Sequence, residues 1–201
     1  MPDVVNNTQI PAARVQLWDT VTNFVSRPWY RWFFNIYTAV EAGRRYGSFY
    51  STTTFTPAAI NTPYAITFNN TFKRADGSDL TYGVYVGTPT SRIYVDNTAT
   101  YNFQFSAQLL KSGGGTHNIY IWPRVNGVNV DDSATKITIG GGSGTATVAA
   151  WNFVLNLQLG DYFELIYLVD DVSITIPYVA ASGSIPAIPS VILTVTSSVG
   201  G

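Results

Sequence analysis

The sequence predicts an all-β sandwich or barrel preceded by an extended N-terminal arm and one amphipathic, aromatic helix. Three observations carry this expectation. Beyond Tyr46, short runs rich in Thr, Val, Ile, Tyr and Phe alternate with Gly, Asn and Asp turn signals, with no helical period between them. Residues 27–43, RPWYRWFFNIYTAVEAG, place large apolar side chains at three- and four-residue spacing. Residues 1–14 are polar, contain two prolines and have no period of either kind, so something beyond their own sequence must order them.

In chain order, residues 15–25 carry Val15, Leu17, Trp18, Val21, Phe24 and Val25, which fits a short helix or an irregular docking segment. The next segment is better marked. Ser26 is placed to cap orphan amides, Pro28 falls in the first turn where a missing N–H costs nothing, and Gly43 follows the last apolar residue as a stop. Trp29, Trp32, Phe33, Ile36, Tyr37 and Val40 then form one wide apolar stripe. Strands are expected over 46–55, 64–69, 83–86, 93–95, 101–110, 118–125, 136–139, 145–157, 162–169, 173–178 and 191–196. Asp76-Gly77, Gly113–Gly115, Asn126-Gly127, Gly140–Gly144 and Gly160-Asp161 supply the turns. Alternation is clearest where Tyr101, Phe103, Phe105, Ala107 and Leu109 interleave with Asn102, Gln104, Ser106 and Gln108, which implies a half-buried strand whose polar face is uncharged and suited to a hydrogen-bonded subunit contact. The domain division expected is 1–45 for arm and helix and 46–201 for the β-module.

Composition narrows the function classes. Only 11% of residues are charged, against 46% hydrophobic and 14% aromatic, where about a quarter charged is usual for a soluble domain. Subunit interfaces account for the missing polar surface. Net charge is −1 with scattered basic residues, so no nucleic-acid partner is expected. Cysteine is absent, which removes disulfides and thiolate metal sites. Arg31 and Asn35 interrupt the aromatic stretch, so no membrane span is expected. The N-terminus lacks a basic start followed by an apolar core, so the expectation is synthesis in the cytosol without a secretory leader, and the triplets at Asn6 and Asn69 carry no glycosylation.

Chemistry-bearing residues are sparse. His117 is the single histidine, beside the loop Ser112–Thr116, and no nucleophile-elbow pattern surrounds a serine. Glu41 and Glu164 are the only glutamates, and a glycosidase pair needs two carboxylates about 5–9 Å apart. Asp76 and Asp79, Asp131-Asp132 and Asp170-Asp171 gather oxygen ligands in loops, but none has calcium-loop spacing, so turn chemistry is the expected role. Gly140–Gly144 lacks the Lys-Ser/Thr of a phosphate loop and reads as a flexible hairpin connection. No enzyme activity, cofactor or metal is expected. For the helix, packing on its own β-module competes with insertion into a partner; aromatics with Arg are the residue types of interface hot spots, which favours insertion.

Residues 91–110, SRIYVDNTATYNFQFSAQLL, resemble a strand pair of complement-globular-head and tumour-necrosis-factor-like jelly rolls. Residues 151–168, WNFVLNLQLGDYFELIYL, resemble a later hairpin of that family, with Leu157–Asp161 its most specific element, and PSVILTV at 189–195 resembles the closing core strand. The segment Ser26–Asn35 resembles an attachment segment of tailed-bacteriophage virion proteins that carry this fold, and no collagen-like stretch precedes the module. The resemblance implies a jelly-roll sandwich, TNF-like, assembled as a homotrimer with aromatic faces around the threefold: Tyr101, Phe103, Phe105, Trp151, Phe153 and Tyr162. It further implies a virion role, as a head fibre or capsid decoration protein. Trp18, Trp29, Arg31, Trp32, Phe33, Ile36 and Tyr37 would anchor it to capsid, portal or tail proteins. The alternatives are a tail fibre or adaptor, or an adhesin for host-surface glycans using Tyr82, Tyr85 and Tyr94.

Overall fold

The computed structural model describes residues 10–42 and 45–197, with the side chains at 39, 41 and 42 excepted. Two short strands, β1 (Trp18–Asp19) and β2 (Phe24–Val25), precede the single helix α1 (Arg27–Ala42). The module then runs β3 (Tyr46–Ser51), β4 (Tyr64–Ala65), β5 (Asn70–Thr71), β6 (Thr81–Tyr82), β7 (Val84–Val86), β8 (Ile93–Val95), β9 (Ala99–Lys111) and β10 (His117–Val125). It continues through β11 (Val128–Asn129), β12 (Thr135–Ile139), β13 (Thr145–Leu157), β14 (Tyr162–Val169), β15 (Ile174–Thr175) and β16 (Val191–Ser197).

Strands β1 and β2 pair with each other, and the strands of the module form two seven-stranded sheets. One has the order β11-β10-β14-β8-β7, with β12 also on β10 and β4 on β14; the other has the order β13-β9-β16-β3-β5, with β15 on β9 and β6 on β3. Successive long strands change sheets: β9 lies in the second, β10 in the first, β13 in the second, β14 in the first and β16 in the second. The last strand inserts between β9 and β3, antiparallel to both. This is an all-β jelly-roll sandwich, as the sequence predicts.

Period-2 alternation builds the core. On β9 the odd positions from Tyr101 to Leu109 face inward, and Phe103 stacks on Phe163 of β14 with centroids 4.1 Å apart. Leu193 and Val195 of β16, Ile119 and Ile121 of β10 and Leu165 of β14 fill the remaining interior. Tyr101 is accommodated because its hydroxyl donates to the Asn97 carbonyl at 2.8 Å, and burial raises its pKa. Tyr167 is buried beside Tyr64, and burial pushes its hydroxyl up to about 12.

This packing corrects one expectation. Tyr101, Phe103 and Phe105 are 0%, 0% and 2% exposed within a single chain, so they have no surface to offer a neighbouring subunit. The aromatic face of β9 meets the opposite sheet, and the Asn/Gln face looks outward. On that outward face Asn152 Nδ2 donates a cross-strand hydrogen bond to Asn102 Oδ1 at 2.8 Å.

The segment 15–25 is neither a helix nor irregular. Asp19 accepts hydrogen bonds from the amides of Val21 and Thr22 at 2.9 and 3.1 Å, Asn23 takes a positive φ of 58°, and the chain turns back to pair Trp18 with Val25. A side chain that captures local amides competes with helix formation. Ser26 ends the hairpin and starts α1, its carbonyl accepting the Tyr30 amide. Its hydroxyl does not cap the helix; it donates to the Gln16 carbonyl at 2.5 Å and ties hairpin to helix. Residues 1–9 of the expected arm, the stop at Gly43 and the Asn6 triplet lie outside the described residues.

Candidate functional site

The surface that stands apart from the rest of the molecule is the hairpin-helix unit, residues 15–42. Helix α1 starts where Ser26 and Pro28 set the first turn, and its aromatics interlock along one side. Trp29 and Trp32 meet edge-to-face at 5.6 Å, Trp32 and Phe33 at 5.1 Å, and Trp29 and Phe33 at 6.1 Å. The Trp29 indole donates to the Val15 carbonyl at 2.9 Å, which fixes the hairpin against the helix.

Among the described residues, this unit sends no side chain into the sandwich core. Neither the buried cluster nor the half-buried residues packed on it include any member of 10–42. Phe33 is 48% exposed, Tyr37 63% and Trp18 52%; Ile36 and Arg31 are exposed too, while Trp29 and Trp32 are half-buried against each other. The seven residues expected to anchor the chain therefore lie on one small unit with apolar area turned outward. Two aromatics outside the expected stripe join them. Tyr30 and Phe34 stack at 6.4 Å on the adjoining flank and are exposed, so the apolar arc covers more than half of the helix circumference. Leu17, Val21 and Phe24 extend it over the hairpin, with Val21 90% exposed. Sequence reasoning missed Tyr30 and Phe34 because it sought one stripe; the run of consecutive aromatics was the signal.

At the other expected interface, Trp151 and Phe153 lie on the inner face of β13, the edge strand of its sheet, and are half-buried against Phe105. Val148 and Val154 stand exposed on the outer face of the same strand. Tyr162 is half-buried beneath Arg92, whose guanidinium lies 4.5 Å from the ring centroid, and beside Tyr94. Tyr85 stacks on Tyr94, and Arg45 lies over Tyr82.

The remaining chemistry-bearing residues serve the fold's own loops. His117 Nε2 lies 2.9 Å from the Gly114 carbonyl, and its ring is 3.7–3.9 Å from carboxylate oxygens of Asp171 and Asp170. Ser112 donates to the Ser173 carbonyl rather than to the imidazole. Asp171 caps Ser173, whose hydroxyl and amide lower its pKa. Glu164 is buried and accepts a hydrogen bond from Ser91 Oγ at 2.7 Å. The glycine-rich loop at 140–144 is held rather than free. Lys111, fully buried at the end of β9, donates to the carbonyls of Gly141 and Gly115, and Ser143 Oγ donates to the Ser112 carbonyl. Among the described residues no three His, Asp or Glu side chains converge to hold a metal ion, and no helix is long and apolar enough to cross a membrane.

The chain matches no family model, and no curated protein matches it. Among solved structures it is similar to the globular domain of a zebrafish complement 1qA protein, with a TM-score of 0.44 and 16% identity over 77% of this chain and 96% of that one.

Proposed function

We propose that this chain is a non-enzymatic structural component of a tailed-bacteriophage particle, a homotrimeric head fibre or capsid decoration protein whose hairpin-helix unit docks on the virion. The observation that carries the reading is the exposed aromatic surface of residues 15–42, built on a unit whose described side chains add nothing to the sandwich core. Apolar side chains of this size gain about 1.5–3 kcal/mol each when removed from water, so a few of them offset the entropic cost of docking. Trp, Tyr and Arg side by side are the composition of a hot spot. The particle as partner follows from the resemblance of Ser26–Asn35 to virion attachment segments; a tail-fibre or adaptor position uses the same surface.

Trimer formation is supported by the low charge fraction and by the edge strand β13, which offers Trp151, Phe153, Val148 and Val154 where the buried β9 aromatics offer nothing. A closed cyclic assembly would cover such an edge in every copy. Sedimentation of the full chain tests the assembly, and co-pelleting with particles tests the docking. Three chains per species are expected. Trp32→Ala is expected to release the protein from particles at every ionic strength, and Arg31→Ala to weaken attachment mainly at low salt, where a rim charge is least screened. A folded Trp32→Ala protein that pellets normally would remove the helix from the interface.

A further inference from the structure

On the opposite sheet, far along the chain from the aromatic helix, β10 turns Ile119, Ile121 and Pro123 inward and Tyr120 and Trp122 outward. Leu168 of β14 is the register partner of Tyr120 and lies on the same face. The loop after β11 borders these residues and forms one side of an open surface cleft of about 510 Å³, within the range of small-molecule sites. Its floor is Tyr120, Trp122 and Leu168; its wall is Asn129, Asp131 and Asp132.

Several bonds hold this cleft in shape without a ligand. Trp122 Nε1 and Arg124 Nε both donate to Asn129 Oδ1, at 2.8 and 2.7 Å, which fixes the indole plane and leaves the amide Nδ2 as the end able to donate elsewhere. The Val130 amide donates to the Pro123 carbonyl, Ser133 Oγ donates to the Val130 carbonyl at 2.6 Å, and Asp132 takes a positive φ of 55°. An aromatic platform with a fixed plane, walled by planar carboxylate and amide groups, complements a molecule with one apolar face and a rim of hydroxyls. Among the described lining residues there is no lysine or arginine; Arg124 and Lys136, the register partner of Tyr120, stand beside the cleft but outside its lining, so the charges in its wall are the carboxylates of Asp131 and Asp132, which disfavour an anionic occupant.

We infer that the Tyr120–Trp122 cleft is a binding site for an uncharged saccharide. A pyranose ring stacks on the Trp122 indole, its hydroxyls donate to Asp131 and Asp132, and Asn129 Nδ2 donates to a ring or hydroxyl oxygen. The site is separate from Tyr82, Tyr85 and Tyr94 and does not depend on the particle-docking reading, since it uses none of residues 15–42.

Isothermal titration of the full chain with cellotriose, N-acetylglucosamine trisaccharide and sialyllactose tests it. At least one of the two neutral trisaccharides is expected to bind and sialyllactose to bind more weakly. Trp122→Ala is expected to weaken the neutral ligand about tenfold or more, as loss of a stacking platform does. Trp122→Phe keeps a ring and should retain part of the affinity; Asp131→Asn with Asp132→Asn should narrow the difference between neutral and sialylated ligands. Absence of binding by both neutral sugars, or unchanged affinity in a folded Trp122→Ala protein, would overturn the inference. So would a change in sedimentation on Trp122→Ala, because the cleft would then be a contact between copies.

Discussion

The hairpin-helix unit is about twice as rich in aromatics as the β-module, and the two use them in opposite ways. In the module, Phe103 and Phe105 are sealed between two sheets, where each ring has neighbours on every side. In the unit, Phe33 meets Trp29 and Trp32, Phe34 stacks on Tyr30, and both leave about half of their surface in water. The difference is architectural. A strand in a sandwich has one face that must be apolar, whereas a single helix with a two-stranded hairpin has no second layer to cover an apolar arc of this width. Aromatic content alone therefore does not distinguish core from interface; the number of layers does.

The sharpest way to break this contrast is a matched pair of deletions. Phe103→Ala opens a cavity under the stack with Phe163 and is expected to cost about 3–5 kcal/mol in a denaturant titration. Phe34→Ala removes a ring of the same size from a half-exposed position and should cost well under about 1 kcal/mol. Comparable losses would mean that the helix is part of the core.

A smaller effect separates the two regions by pH. The Asp19 carboxylate accepts the Val21 and Thr22 amides, which lower its pKa from the usual 3.8. A lowered folded-state value means that the turn is favoured above the ordinary aspartate range and loses that support as pH falls through the lowered value. The protection factors of amides in residues 18–25, taken relative to the intrinsic exchange rate at each pH, should therefore fall on acidification toward that value, while the amides of β9 and β16 keep theirs. Asp19→Asn is expected to flatten the pH dependence of the hairpin.

Much of the module was legible in the sequence because its long strands carry strict alternation between turn glycines. Strands β13 and β14 occupy the expected residues, and β9, β10 and β16 differ by two residues at most. The two-residue strands β5, β6 and β11 were not legible, since pairs such as Asn70–Thr71 have no period and exist only by pairing with β3 or β10. Alternation on β9 gave two faces but not their directions. The resemblance places the aromatic face at a subunit contact, whereas the opposite sheet that covers it comes from distant residues, Phe163 among them. Lys111 shows the same limit: nothing local marks a lysine as buried until the loops at 115 and 141 close over it. The aromatic stripe of α1 was legible in periodicity, whereas the turn at Asp19 was hidden by an apolar spacing that fits helix and hairpin alike.

The account stands most directly on whether residues 1–45 are separable from the fold. The measurement is the melting temperature of residues 46–201 expressed alone, set beside that of the full chain at equal concentration. The module is expected to melt cooperatively within a few degrees of the full chain, because its described core draws on no side chain before Phe49, while the cut removes the ties of Arg45 to Asp96 and Ser197. For a chain of this size about 1 kcal/mol of lost packing lowers the midpoint by roughly 2–4 °C. A drop of many degrees, or a module that does not fold, would show that the aromatic helix packs on its own domain and is not an attachment surface.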